Sequence, residues 1–412
     1  MHPFISEFKE RGFFYQCTDE HALSESLKNE KNPSAYIGFD CTAPALHVGS
    51  LLQIMILRML QKHGIRPIVL IGGATTKIGD PTGKDTSRRM LSDEEIKSNT
   101  EGIKTCIEKF VSFDGPNKAI LLDNSDWLEK LKYTDLLREV GMHFSINRML
   151  TFDSVKLRLE REQSLSFLEF NYMILQGYDF MHLSKYQNCI LECGGSDQWG
   201  NIVSGVELTR KMLGKEVFGL TTPLIATASG AKMGKSEKGA IWINENMLTP
   251  YDYYQFWRNT DDNDVFRFMK IFTDIPVAEI NTYQNDTTTN INEYKKILAF
   301  ETTKLCHGES AAAEAMKTAI AVFEQGDMEN IATFGLDKHL VTDGIFAYEL
   351  FRLSGMADSN GSAKRLIRGS GASVNKEKVT DEATKLYEKD FEKNGYIILS
   401  SGKKNHIKII LK

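Results

Sequence analysis

The chain has 412 residues, 42% of them hydrophobic and 25% charged, an ordinary balance for a soluble globular protein. It is too long for one core and implies two or three domains; no apolar run approaches the roughly 18 residues of a membrane helix. Six scattered cysteines, of which only Cys189 and Cys193 are close, lack a second Cys/His pair, so reduced core thiols are expected and structural zinc is not.

The N-terminal stretch Met1–Glu10 has no basic-then-apolar signal pattern, and its acidic residues weigh against a transit peptide; a cytoplasmic protein is expected. The net charge of −5 is unevenly spread. Residues 346–412 carry 13 Lys+Arg against 8 Asp+Glu, and the remainder carries 37 against 47. A basic tail on an acidic body makes the tail the main polyanion contact, although solubility alone also accounts for a basic patch.

In chain order, residues 1 to about 34 read as two helices ending at Pro33. Ala35–Phe39 then forms a short strand, Pro44 marks a bend, and Leu51 opens an apolar helix that stops at Gly64. A strand, a sharp loop and a helix whose first turn is His47-Val48-Gly49-Ser50 make a phosphate-site layout, with free N–H groups and the positive dipole end facing outward. Two glycines and a histidine that merely end a strand and start a helix would look the same.

Ile65–Ile71 reads as a second strand, running into a loop from Gly72 to Lys84, and Ala119–Leu122 as a third, ending in Asp123-Asn124-Ser125-Asp126-Trp127. Strands alternating with helices predict a parallel sheet, with ligands beyond the strand carboxyl ends. Gly83-Lys84 is not a Walker loop, because Ile78 stands where the first glycine belongs and Asp85 follows the lysine. Lys84 and Arg88 remain candidates to clamp phosphates.

Residues 130–165 read as amphipathic helix, suited either to a dimer interface or to an ordinary core pair. Tyr172, Gln176 and Asp179 follow at i, i+4 and i+7, one polar stripe on an otherwise apolar helix. Buried polar groups without partners cost about 1–3 kcal/mol each, so the stripe either pairs in the core or lines a pocket. Cys189–Glu192 is the fourth strand, and its Gly-rich end Gly194–Asn201 opens another helix. Lys232-Met233-Gly234-Lys235-Ser236 places two lysines in a glycine-bearing loop able to close over phosphates. Thr249-Pro250 starts a helical region reaching about residue 325, followed by a linker at 326–345. A basic helix (Ser362–Arg368) and two apolar strands complete the tail.

His47-Val48-Gly49-Ser50 and Lys232-Met233-Gly234-Lys235-Ser236, in this order on a parallel α/β pattern, resemble the two signatures of class I aminoacyl-tRNA synthetases. Gly38-Phe39-Asp40, Gly72–Thr75, Gly79-Asp80-Pro81, the Tyr172/Gln176/Asp179 stripe and Gly194–Asn201 look like the bacterial-type tyrosyl-tRNA synthetases in particular. The tail resembles the small ribosomal-protein-like RNA-binding module that ends those enzymes. Ser50 and Gly234 depart from the usual signatures, and Ser373 from the tail pattern. The resemblance implies a Rossmann-like parallel-sheet catalytic domain (1–235) with an inserted helical dimerisation segment (130–165), a helical anticodon-side domain (236–325), and a small α+β RNA-binding domain (346–412).

It further implies tyrosine activation by ATP, with Mg2+ accompanying the nucleotide, and transfer to tRNA(Tyr) by a homodimer. Tyr36 and Asp179 would then bond the tyrosine hydroxyl, Tyr172, Gln176 and Asp80 its ammonium group, and Gln198 would lie near its carboxylate. Gly38, Asp40, Ser50, Gly195 and Asp197 would take the nucleotide, and Thr42, His47, Lys84, Arg88, Lys232 and Lys235 would bear on its phosphates. Lys364, Arg365, Arg368, Lys376 and Lys378 would meet tRNA. The rival readings are a tryptophan-specific sister enzyme, an inactive RNA-binding paralogue, and a nucleotidylyltransferase lacking the basic tail. The hydroxyl-binding pair Tyr36/Asp179 argues against the first, since indole offers one donor and no hydroxyl.

Overall fold

The computed structural model describes residues 1–82, 91–228, 230, 233–236, 239–323, 333–375, 377–392, 395–402 and 405–412. Two compact units divide the chain, Met1–Met316 and Lys317–Lys412.

The first unit is built on a six-stranded sheet: β1 (Gln16–Cys17), β2 (Ser34–Phe39), β3 (Arg66–Ile71), β4 (Ile120–Asp123), β5 (Cys189–Gly195) and β6 (Phe218–Thr222). Their order is β1-β6-β5-β2-β3-β4, all parallel except the β1–β6 pair. The chain steps from β2 outward to β4 and then returns to lay β5 on the other side of β2. That reversal makes β2 and β5 the switch point, where an open α/β sheet leaves a crevice beyond its strand ends. Tyr36 stands in register with Ile68 on one side and Glu192 on the other. Tyr36 belongs to a buried cluster with Ile68, Leu70, Phe180, Leu183 and Val217, and the Phe180 ring centroid lies 5.4 Å from its own.

The helix Leu51–Lys62 buries Leu51, Leu52, Ile54, Met55, Ile56 and Leu57 nearly all round, as its apolar sequence requires. Thr249 caps the helix Pro250–Arg258 by accepting from Asp252 N–H, with proline at the first helical position. The helical region expected as a separate domain after residue 235 lies, as far as Met316, in the same compact unit as the sheet. Buried Arg11 accounts for part of that union: its guanidinium donates to the carbonyls of Lys270, Thr273 and Ile275 at 2.9, 3.0 and 3.1 Å.

Residues 130–165 are a chain of short turns rather than an amphipathic helix pair, with a π-turn at Leu136–Val140 and helices at Ile146–Met149 and Asp153–Glu160. Val140, Met149 and Val155 pack inward against Met173, Ile174 and Leu208. Leu137 and Met142 face outward. Among the described residues no helix is long and apolar enough to cross a membrane.

The second unit carries a five-stranded sheet in the order Glu377–Lys378, Ala372–Val374, Tyr396–Ser401, Asn405–Leu411, Thr333–Leu336. Helices Ala347–Leu353 and Asn360–Arg368 contribute Leu350, Phe351, Ala363 and Ile367 to a core shared with Ile397, Leu399 and Ile409. The expected linker at 326–345 needs correction. Thr333–Leu336 is an edge strand paired in parallel with the last strand, and Leu336 is buried in the core, so this part of the stretch belongs to the small domain.

Candidate active site

A cavity of about 370 Å³ opens at the switch point, beyond the carboxyl ends of β2 and β5. Of the residues singled out from sequence, it brings together Tyr36, Gly38, Asp40, Thr42, His47, Ser50, Asp80, Tyr172, Gln176, Asp179, Gly195, Asp197 and Gln198. Lys84, Arg88, Lys232 and Lys376 lie outside the described residues, and for Lys235 the backbone alone is described, in a two-residue strand with Ser236.

Local sequence explains how each side chain arrives. The helix Tyr172–Tyr186 turns its polar stripe into the cavity while Met173, Ile174, Phe180 and Leu183 bury its other faces. Asp179 is buried, and both its oxygens are engaged: Trp127 Nε1 donates to Oδ1 at 2.7 Å and Asn124 Nδ2 to Oδ2 at 2.9 Å. Burial pushes the Asp179 carboxyl far above the ordinary range, and the two donors pull the other way. Asn124 is itself fully used, accepting from Ala74 N–H and donating to Thr75 Oγ1. Asn124 and Trp127 read from sequence only as part of a polar strand end, with no role of their own. The clue was there, because the third strand end faces the same crevice as the polar stripe.

Asp40 accepts from Thr75 Oγ1 at 2.9 Å and from the Tyr172 hydroxyl at 3.2 Å, joining a residue expected at the nucleotide to one expected at the ammonium group. A Cβ at Gly72 would stand 2.4 Å from Asp40 Oδ1, so only glycine leaves that carboxylate its place. A second chain of amides runs along the opposite wall. Gln198 donates to Asp80 at 2.8 Å, Asn201 donates to Gln198 and Gln176, and Gln176 donates to Glu192 Oε1 at 2.9 Å. Glu192 and Asn201 had no assigned role in the sequence analysis; their signal was position, Glu192 directly across the sheet from Tyr36 and Asn201 one turn beyond Gln198.

His47 Nδ1 accepts from Gly49 N–H at 2.9 Å. That bond fixes the tautomer with the proton on Nε2, which makes the imidazole a donor at the mouth of the cavity. Five carboxylates line the cavity (Asp40, Asp80, Asp179, Glu192 and Asp197), and no Lys or Arg does so among the described residues. Such a lining suits a ligand that brings an ammonium group and hydroxyls. Among the described residues no group of three His, Cys, Asp or Glu is arranged to hold a metal ion.

In the second unit, Lys364, Arg365 and Arg368 share the helix Asn360–Arg368, and Lys378 lies on the edge strand. Lys364 Nζ sits 4.4 Å over the Tyr348 ring, and Arg368 is paired with Glu382.

Comparison with known proteins agrees with this geometry. The family described as tRNA synthetases class I (W and Y) matches residues 28–324. A protein named tyrosine–tRNA ligase from Rickettsia bellii (strain RML369-C) is 56% identical over 406 residues, 98% of each chain. One of the same name from Rickettsia prowazekii (strain Madrid E) is 55% identical over 407 residues, again 98% of each. The crystal structure of a C-terminally truncated mitochondrial tyrosyl-tRNA synthetase from Aspergillus nidulans superposes with a TM-score of 0.69 at 29% identity, covering 78% of this chain and 94% of that one.

Proposed function

The chain belongs to the class I tRNA synthetases of the tryptophan and tyrosine branch, and from that premise we propose the roles of its cavity residues in tyrosine–tRNA ligation. It activates L-tyrosine with ATP and transfers it to tRNA. The observation that carries the residue assignment is Asp179: a buried carboxylate, fixed by Trp127 and Asn124, on a cavity wall that also presents the Tyr36 hydroxyl. A phenol needs one acceptor and one donor. Asp179 accepts a hydrogen bond from its hydroxyl and Tyr36 donates to its oxygen, whereas phenylalanine leaves both groups without partners. Indole supplies a single donor and fits half of that arrangement.

Asp80, Tyr172 and Gln176 hold the ammonium group, and Gln198 lies beside the carboxylate. Gly38, Asp40, Ser50, Gly195 and Asp197 receive the nucleotide. One carboxylate oxygen of tyrosine attacks the α-phosphorus of ATP; a new O–P bond forms as the bond to the pyrophosphate oxygen breaks, giving tyrosyl-adenylate. Placement of the two reactants and stabilisation of charge on the leaving phosphates supply the rate. Thr42 and His47, through its Nε2 proton, act at the phosphates, joined by the cations Lys84, Arg88, Lys232 and Lys235. Mg2+ accompanying the nucleotide would neutralise charge on its phosphates. A hydroxyl of the terminal adenosine of tRNA(Tyr) then attacks the adenylate carbonyl, and AMP leaves.

The basic helix carrying Lys364, Arg365 and Arg368, with Lys376 and Lys378 nearby in sequence, contacts the tRNA. The protein works as a homodimer in the cytoplasm, its outward apolar residues at 133–168 meeting their counterparts. Tyrosine-dependent ATP–pyrophosphate exchange, run beside phenylalanine and tryptophan, tests the assignment. Exchange with tyrosine alone, lost in Asp179→Ala, is expected; exchange surviving in that variant removes Asp179 from the site.

A further inference from the structure

We infer that Asp264 and Arg267 are positioning residues for the activation step: they clasp the chain on its way into the lysine signature and so set where Lys232 and Lys235 meet the phosphates of ATP. That role rests on the reading of those lysines as phosphate-binding groups, and it falls to two residues that do not line the cavity.

Three bonds make the clasp. Asp264 Oδ2 accepts from Ala228 N–H at 2.6 Å, Arg267 Nη2 donates to the Ala226 carbonyl at 2.6 Å, and the same nitrogen donates to Asp264 Oδ1 at 2.6 Å. The carbonyl before Thr227 and the N–H after it are thus held by one ion pair, through charge-assisted hydrogen bonds. The Arg267 guanidinium also stands 5.0 Å over the ring of buried Phe268, which steadies it. Asp264 is buried, whereas Ala228 is exposed, so a fixed carboxylate grips a surface segment. The helix entry itself is capped elsewhere. Asp261 accepts from Asn263 N–H at 3.0 Å, and Asp264, at the N-cap of the helix Val265–Phe272, makes no capping bond of its own. Its oxygens are spent on Ala228 and Arg267 instead of on first-turn N–H groups.

The two arms of the lysine segment rest on different supports. The returning arm is laced to the His47 turn: Val48 N–H donates to Ile241, Ile241 N–H to Gly234, and Ile243 N–H to Leu46. The outgoing arm leaves β6 at Thr222 and passes the nucleotide wall, where a Cβ on Gly195 would lie 3.3 Å from Leu224 Cδ2. It is then clasped at Ala226 and Ala228. Between the arms, Met233 N–H reaches the Ile225 carbonyl at 3.5 Å, a long bond that holds them weakly. Lys232 follows Ala228 by four residues in the chain, and Lys235 by seven. A shift of the clasped arm is therefore passed to the ammonium groups, and a displacement of about 1 Å in a positioned group can cost on the order of a hundredfold in rate.

The test uses the full-length protein in pyrophosphate exchange, with ATP varied at saturating tyrosine and tyrosine varied at saturating ATP. The Arg267 side chain is 46% exposed, so Arg267→Ala leaves the core intact. It is expected to lower kcat/KM for ATP about tenfold, the scale of one charge-assisted hydrogen bond, and to leave KM for tyrosine unchanged. Arg267→Lys keeps a charged donor for Ala226 and Asp264 and should recover most of the loss. Asp264→Asn keeps an acceptor for Ala228 N–H without the ion pair and should lose severalfold. In a Lys232→Ala background the further loss from Arg267→Ala should shrink, because both changes act on one group. Unchanged ATP parameters, equal losses for both substrates, or the full loss retained in the Lys232→Ala background overturns the inference and leaves the phosphate reading standing. Should Lys232→Ala itself leave kcat/KM for ATP unchanged, the phosphate reading falls, and the clasp loses its role with it.

Discussion

Gly49 and Gly234 touch across the two signature segments: a Cβ built on Gly234 would lie 2.5 Å from Gly49 N, and one on Gly49 would lie 3.0 Å from the Met233 carbonyl. Gly234 also has φ +97°, where a side chain is strained in any surroundings. Around this contact, Val48 N–H donates to Ile241 and Ile243 N–H to Leu46, so the chain after the lysine loop is laced to the His47 turn. The glycine standing where the signature usually has serine is therefore matched to its neighbour. Gly234→Ala is expected to push the segments apart and raise KM for ATP about tenfold, from a strain of about 1–2 kcal/mol. KM for tyrosine should hold; equal changes in both would mean general damage.

Trp127 and Asn124 both donate to Asp179, and Asn124 also lines the cavity. Trp127→Phe and Asn124→Ala each remove one donor from a buried carboxylate, a loss of about 1–3 kcal/mol. The expected result is tyrosine KM raised by roughly ten- to a hundredfold, with ATP KM nearly constant. The two effects are expected to be non-additive, because both act on one group. A double-mutant cycle in pyrophosphate exchange measures this.

Much of this was legible in the sequence, for reasons that can be named. Strand ends and the polar stripe follow from period and burial, so β2, β3, β5 and the Tyr172/Gln176/Asp179 face emerge from spacing alone. The specific roles came from the resemblance of the motifs. What escaped depends on pairings distant in sequence. Glu192 reads as one polar residue in a short apolar strand until β5 is laid beside β2 and Tyr36. Thr333–Leu336 is too short, and interrupted by Gly335, to register as a strand until the chain's last segment supplies its partner. The 130–165 stretch keeps helical periodicity in its letters, yet its apolar residues split between the core and the surface, which spacing does not distinguish.

Asp179 also makes a stability prediction, and its sign is fixed. Its folded carboxyl is pushed up to about 8, above the usual carboxylate range, so the folded state binds the proton more tightly than the unfolded chain. The stability this contributes is full below the usual range and is lost as pH climbs through about 8. Asp179→Asn cannot ionise. Without ligands its Tm should fall less between mildly acidic and alkaline buffer than that of the wild type, although tyrosine exchange is abolished. A parallel decline in both proteins would place the pH-sensitive group elsewhere.

The proposed tRNA contact through the basic helix of the small domain predicts a separation of the two half-reactions. Arg365 is exposed and Lys364 partly so, while Ala363 and Ile367 face the core, so charge changes on the outer face leave the packing alone. Lys364→Glu with Arg365→Glu is expected to lower tRNA charging by about tenfold or more, roughly 1.4 kcal/mol or more of lost phosphate contacts, and to leave pyrophosphate exchange intact. The wild-type charging rate should fall steeply with added salt and the variant's less so, since the variant has fewer counterions to displace. Arg368, already paired with Glu382, should matter less than Arg365.

The outward apolar residues beside the polar stripe argue for a second copy of the chain. Met142 is 72% exposed, Ile146 63%, and Phe167 69%, with Tyr133, Leu137 and Leu150 exposed nearby in sequence. Single exposed hydrophobics are ordinary, but so many in one short stretch are not, and a self-complementary patch closes on itself about a two-fold axis. The inner side of the same stretch packs on Met173 and Ile174, in the helix that carries Tyr172, Gln176 and Asp179. Pairing should therefore steady the tyrosine subsite. Met142→Asp with Ile146→Asp is expected to convert a dimer in light-scattering chromatography to a monomer, with tyrosine KM raised several-fold and the melting temperature lowered. A wild type that runs as a monomer, or a double variant that still runs as a dimer, would assign this apolar face to something other than a second copy.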